Sequence, residues 1–141
     1  AAAEYSKRIS GYANIEIVEL KESKLPSNPS EADENSVLIR EGQNILSKIK
    51  ESDYVIAMEI EGEQIDSVEL AKKIQCAFDT KSSTIDFVIG GSLGLSDEVK
   101  KRADYGLSFS KMTFPHQMAR IMLLEQIYRA FKINSGETYH K

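Results

Sequence analysis

The sequence predicts an α/β domain built on a parallel sheet, and three observations carry that expectation. Two near-continuous apolar runs, "DYVIAMEI" (Asp53–Ile60) and "STIDFVIGG" (Ser83–Gly91), have the composition of strands buried on both faces. Segments of helical periodicity lie between and around them, so strands alternate with helices along the chain. The chain of 141 residues, 41% hydrophobic and 28% charged, suits one domain with its own core.

Taken in order, "AAAEYSKRI" (Ala1–Ile9) reads as a helix, and "NIEIVEL" (Asn14–Leu20) as a strand with β-branched alternation. "KESKLPSNPSEADE" (Lys21–Glu34), with Pro26 and Pro29, reads as a flexible, solvated loop. From Ser36 to Lys50, Val37, Leu38, Ile45, Leu46 and Ile49 recur at helical spacing. The strand Asp53–Ile60 is followed by the turn "EGEQIDS", in which Ser67 is expected to cap a helix striped by Leu70, Ile74, Ala77 and Phe78. The glycines ending "STIDFVIGG" lead to a short helix in "LSDEVKKRA", with Ser96 as N-cap and Asp97 and Glu98 complementing its dipole. "GLSFS" (Gly106–Ser110) reads as a third short strand, and Pro115 opens a last helix reaching about Ile133. No repeat or linker interrupts the chain, so residues 1–141 form a single domain.

The last helix is apolar nearly all round, through Met118, Ile121, Met122, Leu123, Leu124, Ile127, Tyr128 and Phe131. A surface helix shows one stripe, so a second subunit is expected to cover another face, with Leu124 and Ile127 in the interface. The alternative is a helix central to a monomer.

Composition excludes several function classes. No apolar run has the length of a membrane span, and the opening "AAAEYSKRIS" has neither a basic nor an apolar leader segment. The lone Cys76 has no partner for an internal disulfide, which suits a reducing cytoplasm, and it reads as a structural thiol. The net charge is −4, with 13 Lys/Arg and 20 Asp/Glu before residue 111 but 5 and 2 from there on. An acidic body with a basic C-terminal end argues against indiscriminate nucleic-acid binding and allows a focused anionic site.

Signatures of nucleotide loops, paired cysteines and nucleophile elbows are absent, and His116 and His140 lie too far apart for a zinc motif. What remains is "IGGSLGLSDE", where Gly90, Gly91 and Gly94 follow a buried strand and precede a capped helix. Ligands of open α/β sheets sit at the carboxyl ends of strands, and glycine lets backbone approach them closely. Strand-ending glycines also occur as plain turns. The next strand ends in the polar "FSKMTF" and the first near Met58, so three strand ends converge on one expected small-molecule pocket. A side chain at Gly90 is expected to block the ligand and spare the fold. The tail "NSGETYHK" offers Tyr139, His140 and Lys141, a phenol, an imidazole and a cation useful for proton transfer and phosphate contacts. By default such a terminus only frays.

Three motifs, "FVIGGSLGLSDEV", "LSFSKMTFPHQ" and "LEQIYRAFKINSGETYHK", in this order and spacing, closely resemble the ribosomal RNA large-subunit methyltransferase H family, a minimal branch of the SPOUT methyltransferases. The likeness spans essentially the whole chain, except that the family's first strand and a basic segment after it have no counterpart here. The resemblance implies a parallel-sheet SPOUT fold with a C-terminal trefoil knot, assembled as a cytoplasmic homodimer. It implies methyl transfer from S-adenosylmethionine to N3 of a pseudouridine in large-subunit rRNA of the assembled ribosome, with no metal and no membrane. The family's cofactor positions fall on Met58, Gly90 and the run Phe109, Ser110, Lys111, Met112, Thr113 and Phe114, with Met58 standing where most members have leucine. Tyr139 and His140 are the expected groups at the reacting base, and Arg129 and Lys141 the expected RNA contacts. The competing readings are a non-catalytic ribosome- or RNA-binding α/β module and a dinucleotide-dependent oxidoreductase, the latter disfavoured by the incomplete glycine fingerprint.

Overall fold

The computed structural model describes residues 1–140. Five helices and three strands follow one another as α1 (Ala2–Ile9), α2 (Glu31–Lys48), β1 (Tyr54–Glu63), α3 (Ser67–Thr80), β2 (Ile85–Val88), α4 (Asp97–Arg102), β3 (Tyr105–Leu107) and α5 (His116–Asn134). The strands form one sheet in the order β2-β1-β3, and both pairings are parallel, as the alternation of elements requires.

Alternation along β1 divides the core. Ile56 points to a cluster with Leu70, Ala71 and Ile74 of α3, Leu107 of β3 and Ala130 of α5. Its neighbours Val55 and Ala57 point the other way, to Val88, Leu95 and Val99, backed by Ile45 and Leu46 of α2. Successive strand side chains face opposite sides, so a strand apolar at every position must have helices on both. A third cluster joins Ile9 of α1 to Leu123, Leu124, Ile127 and Tyr128 of α5.

Several boundaries differ from expectation. Helix α2 begins at Glu31, inside the segment read as loop, because Ser30 and Asp33 form a reciprocal capping box that stops the Pro-rich stretch. Asp66 rather than Ser67 caps α3, again with a box, to Glu69. Strand β1 runs on to Glu63, through residues read as a turn. Strand β3 is Tyr105–Leu107, displaced toward the N-terminus from "GLSFS". Residues 14–20 are not a strand. They run beside a groove of about 720 Å³ that separates them from β2, with Leu123 and Leu124 of α5 among its walls. Strand composition needs a hydrogen-bonding neighbour to become a strand, and no described strand pairs with this segment.

The apolar girth of α5 is largely used within the chain, since α5 packs against both α1 and α3. Leu124 and Ile127 are 5% and 8% exposed, so they are core residues here and not a free interface. An Arg or Glu at either position would bury an unpaired charge and unfold the subunit. Around α5 the large exposed apolar groups lie just before and within its first turn, where Met112 is 71% and Met118 51% exposed.

Asp53, just before β1, and Asp86 in β2 influence each other's titration. Burial pushes the Asp86 carboxyl up to about 7, helped by its hydrogen bond to Asp53 and the charge there. Asp53 is held below the usual carboxylate range, first by that bond, then by the Lys50 N–H at 3.1 Å and the nearby positive charges of Lys50 and Arg102. Arg102 in turn donates to the carbonyls of Lys50, Glu51 and Asp53 at 3.1, 3.3 and 2.9 Å, closing the chain before β1. An unfolded aspartate titrates near 4, so between about pH 4 and 7 the folded chain holds the extra proton on Asp86 and its contribution to stability falls as pH rises. Asp86→Asn should therefore match wild type near pH 4.5 and exceed it by about 1 kcal/mol at pH 8, in denaturant titrations at both values. A stability difference that does not grow with pH would refute the raised Asp86 carboxyl.

Candidate functional site

Parallel pairing puts the carboxyl ends of all three strands at one end of the sheet. Ala57 pairs with Val88 and Met58 with Leu107, so the loops after β2 and β3 leave on either side of Met58. Met58, Ile89 and Phe109 all pack on the α5 cluster, half-buried, as an apolar shelf. Gly90 follows directly, in a loop closed by a bridge between Gly91 and Gly94. The structure thus brings together Met58, Gly90 and Phe109 from three separate stretches of sequence.

Two close approaches shape this end. A Cβ on Gly62 would lie 2.7 Å from the carbonyl carbon of Gly106 and 2.9 Å from that of Leu107, so β1 crosses the backbone of β3 with nothing between. Beyond that crossing Glu63 pairs with Leu107, which Met58 also pairs with, and residues 59–62 bulge between the two. The second approach involves Gly90, whose added Cβ would fall 2.6 Å from the backbone of Gly94. A side chain there would reshape the loop itself, contrary to the expectation that it would spare the fold.

Ser108 pins the loop that follows β3. It is buried, its N–H donates to the Glu63 carbonyl at 2.9 Å, and its hydroxyl reaches the carbonyls of Ile60 and Ser110 at 2.9 and 3.0 Å. The Ser110 hydroxyl then accepts the Met112 N–H at 3.0 Å, making a tight local turn. Lys111, Met112 and Thr113 are exposed and Phe114 half-buried. Among the described residues, the backbone N–H groups of Phe109, Ser110, Lys111, Thr113 and Phe114 donate to no protein acceptor. A run of unspent donors beside an apolar shelf suits a ligand with one flat apolar part and several acceptors. Sequence reasoning singled out this loop but not the bonds that hold it, because Ile60 and Glu63 lie more than forty residues away.

His116, at the start of α5, is 3.1 Å from a Glu22 carboxylate oxygen, and Arg120 pairs with Glu19. Both acids come from the segment before α2, which the sequence marked only as strand and loop. Among the described residues no group of three or more His, Cys, Asp or Glu could hold a metal, and no helix is long and apolar enough to cross a membrane.

The tail folds back along α5 instead of extending. Gly136 takes a positive φ of 72°, which turns the chain, and Glu137 is held by Lys132 at 2.6 Å and by the Tyr12 hydroxyl at 2.7 Å. The Tyr139 ring meets Tyr128 edge-on at 5.1 Å. Arg129 is engaged by Glu125, Tyr139 and His140. Lys141 lies outside the described residues.

A family described as "Predicted SPOUT methyltransferase" matches residues 1–140. The chain is 56% identical over 141 residues to Ribosomal RNA large subunit methyltransferase H 1 of Clostridium perfringens, covering 100% of this chain and 89% of that protein. It is 55% identical over 139 residues to Ribosomal RNA large subunit methyltransferase H of Bacillus cytotoxicus, covering 99% and 87%. The protein of the same name from Clostridioides difficile is 54% identical over 138 residues, covering 98% and 87%.

The geometry of the strand ends makes two substitutions informative. Gly62→Ala should force β1 and β3 apart and cost about 1–3 kcal/mol, seen as a melting temperature lower by roughly 5 °C. Ser108→Ala leaves the Ile60 carbonyl without its donor and should speed amide hydrogen exchange in residues 109–114 while the α3 core stays protected. Unchanged exchange in that loop would show that Ser108 does not hold it.

Proposed function

We infer the activity from one premise: the chain belongs to the ribosomal RNA large subunit methyltransferase H family, within the SPOUT methyltransferases. It is accordingly a methyltransferase of the large-subunit rRNA family, a class that implies S-adenosylmethionine as methyl donor. The proposal is that it methylates N3 of a pseudouridine in the assembled ribosome, as a cytoplasmic homodimer whose C-terminal loops form a trefoil knot. The observation that supports it most is the convergence of Met58, Gly90 and the 109–114 loop at one end of the sheet.

The residues present suit the donor. Met58, Ile89 and Phe109 offer an apolar shelf for its adenine, and the unspent N–H groups of the 109–114 loop offer donors for its polar edges. When bound, S-adenosylmethionine would supply an electrophilic methyl on a sulfonium, with Met58, Ile89 and Phe109 as the residues that would hold its adenine. The chain's own task is positioning, which supplies most of the rate in a methyl transfer, and help with the N3 proton. Tyr139 and His140 are the proposed groups at the reacting base, provided by the tail of the second copy, and Lys141 is a proposed phosphate contact.

The exposed Met112 and Met118 flanking the start of α5 are the proposed centre of the dimer contact. Met118→Glu should leave the fold intact and halve the mass found by sedimentation equilibrium. A wild-type monomer at micromolar concentration would remove the dimer from the reading.

Calorimetric titration with S-adenosylmethionine separates the enzyme from a ribosome-binding module, which would show no heat. Methylation should be efficient on intact ribosomes and at least ~100-fold weaker on free rRNA, because an acidic chain neutralises few phosphates on its own. Tyr139→Phe and His140→Ala should lower the single-turnover rate by about 10- to 100-fold with cofactor affinity unchanged. Rates equal to wild type in both would reduce the tail to a binding element.

A further inference from the structure

One guanidinium organises the end of the chain. Glu125, one turn earlier on α5, grips Arg129 through Nη2 at 2.5 Å and Nε at 2.7 Å, and these bonds push the Arg129 pKa further up, so it stays a cation. Its carbon lies 4.9 Å from the centroid of the Tyr139 ring. Its Nη1 is 3.0 Å from Nδ1 of His140.

A guanidinium has five N–H donors and no acceptor. The last contact therefore has only one sense: Nη1–H donates, and the Nδ1 lone pair of His140 accepts. An imidazole that accepts at Nδ1 carries its proton on Nε2. His140 is exposed, so Nε2–H is available to another molecule.

We propose that Glu125 and Arg129 are positioning residues that fix His140 as the neutral Nε2–H tautomer, so that His140 acts on the target base as a hydrogen-bond donor and not as a proton acceptor. This rests on the methyl-transfer reading above. With Nδ1 occupied by a cation and Nε2 already protonated, the ring has no lone pair left for the N3 proton, which passes to water. The Nε2–H bond instead stabilises the negative charge that spreads from N3 onto the adjacent carbonyl oxygen as that proton leaves. Arg129, expected from sequence to touch phosphate, works through the tail in this arrangement.

The tautomer is read directly by ¹⁵N spectroscopy of the full chain at pH 8, where the only two histidines are assigned with His116→Gln. Wild type should show His140 protonated at Nε2 and a hydrogen-bonded acceptor at Nδ1, and Arg129→Met should lose the acceptor signature. A proton on Nδ1 in wild type overturns the proposal, as does a spectrum that Arg129→Met leaves unchanged. Single-turnover methylation supplies the second arm. His140→Gln, which keeps a side-chain N–H, should stay within about 10-fold of wild type, and His140→Glu, a base with no donor, should lose about 100-fold or more. If Glu performs as well as Gln or better, His140 is a base and the inference fails. A wild-type chain that transfers no methyl group to ribosomes sinks the methyl-transfer reading and the donor role together, whatever the tautomer.

Discussion

Strand β1 is hydrogen-bonded on both edges and its first half is buried on both faces, and the rest of the molecule is arranged to satisfy it. Val55, Ile56 and Ala57 are fully buried, so helices must cover both sides of the sheet. Parallel partners on both edges then need crossover helices, which are α3 between β1 and β2 and α4 between β2 and β3. The same parallel arrangement sends every strand's carboxyl end to one side. The candidate site is a consequence of how the apolar first half of β1 is buried.

The site's loops are held by bonds that reach across the sequence. Ser108 ties the loop after β3 to Ile60 and Glu63 of β1, and the glycine crossing at Gly62 and Gly106 keeps those backbones in contact. Such pins leave the N–H groups of Phe109, Ser110, Lys111, Thr113 and Phe114 without a protein acceptor among the described residues, which is useful to a ligand. The C-terminal tail follows the same logic. Lys132, Tyr12, Tyr128 and Arg129 hold it against α5, so its phenol and imidazole occupy set positions.

Charge is deployed in a similar way. Most cations of the C-terminal end are engaged within the chain, Arg120 by Glu19, Arg129 by Glu125 and Lys132 by Glu137, while Lys111 stands exposed on the loop after β3. The basic balance of that end is therefore partly structural. Exposed ion pairs of this kind contribute little stability individually, but they orient the side chains they join. In the tail, orientation is what the proposed chemistry needs.

The sequence by itself determined the fold class, the three strands around residues 54–107, the capped helix at Ser96 and the loops on which a site could form. These depend on periodicity, β-branched content and local capping, which are properties of neighbouring residues. The start of α2 at Glu31 rests on the local Ser30–Asp33 box, which prevails directly after Pro26 and Pro29. Only the tertiary structure decided the rest. It left residues 14–20 unpaired despite their composition, because a strand exists only beside another strand. It turned Leu124 and Ile127 from a supposed interface into core, because α1 and α3 both pack on α5. It also converted Arg129 from an open cation into the partner of Glu125 and His140, since which charge meets which is settled by where the chain turns at Gly136.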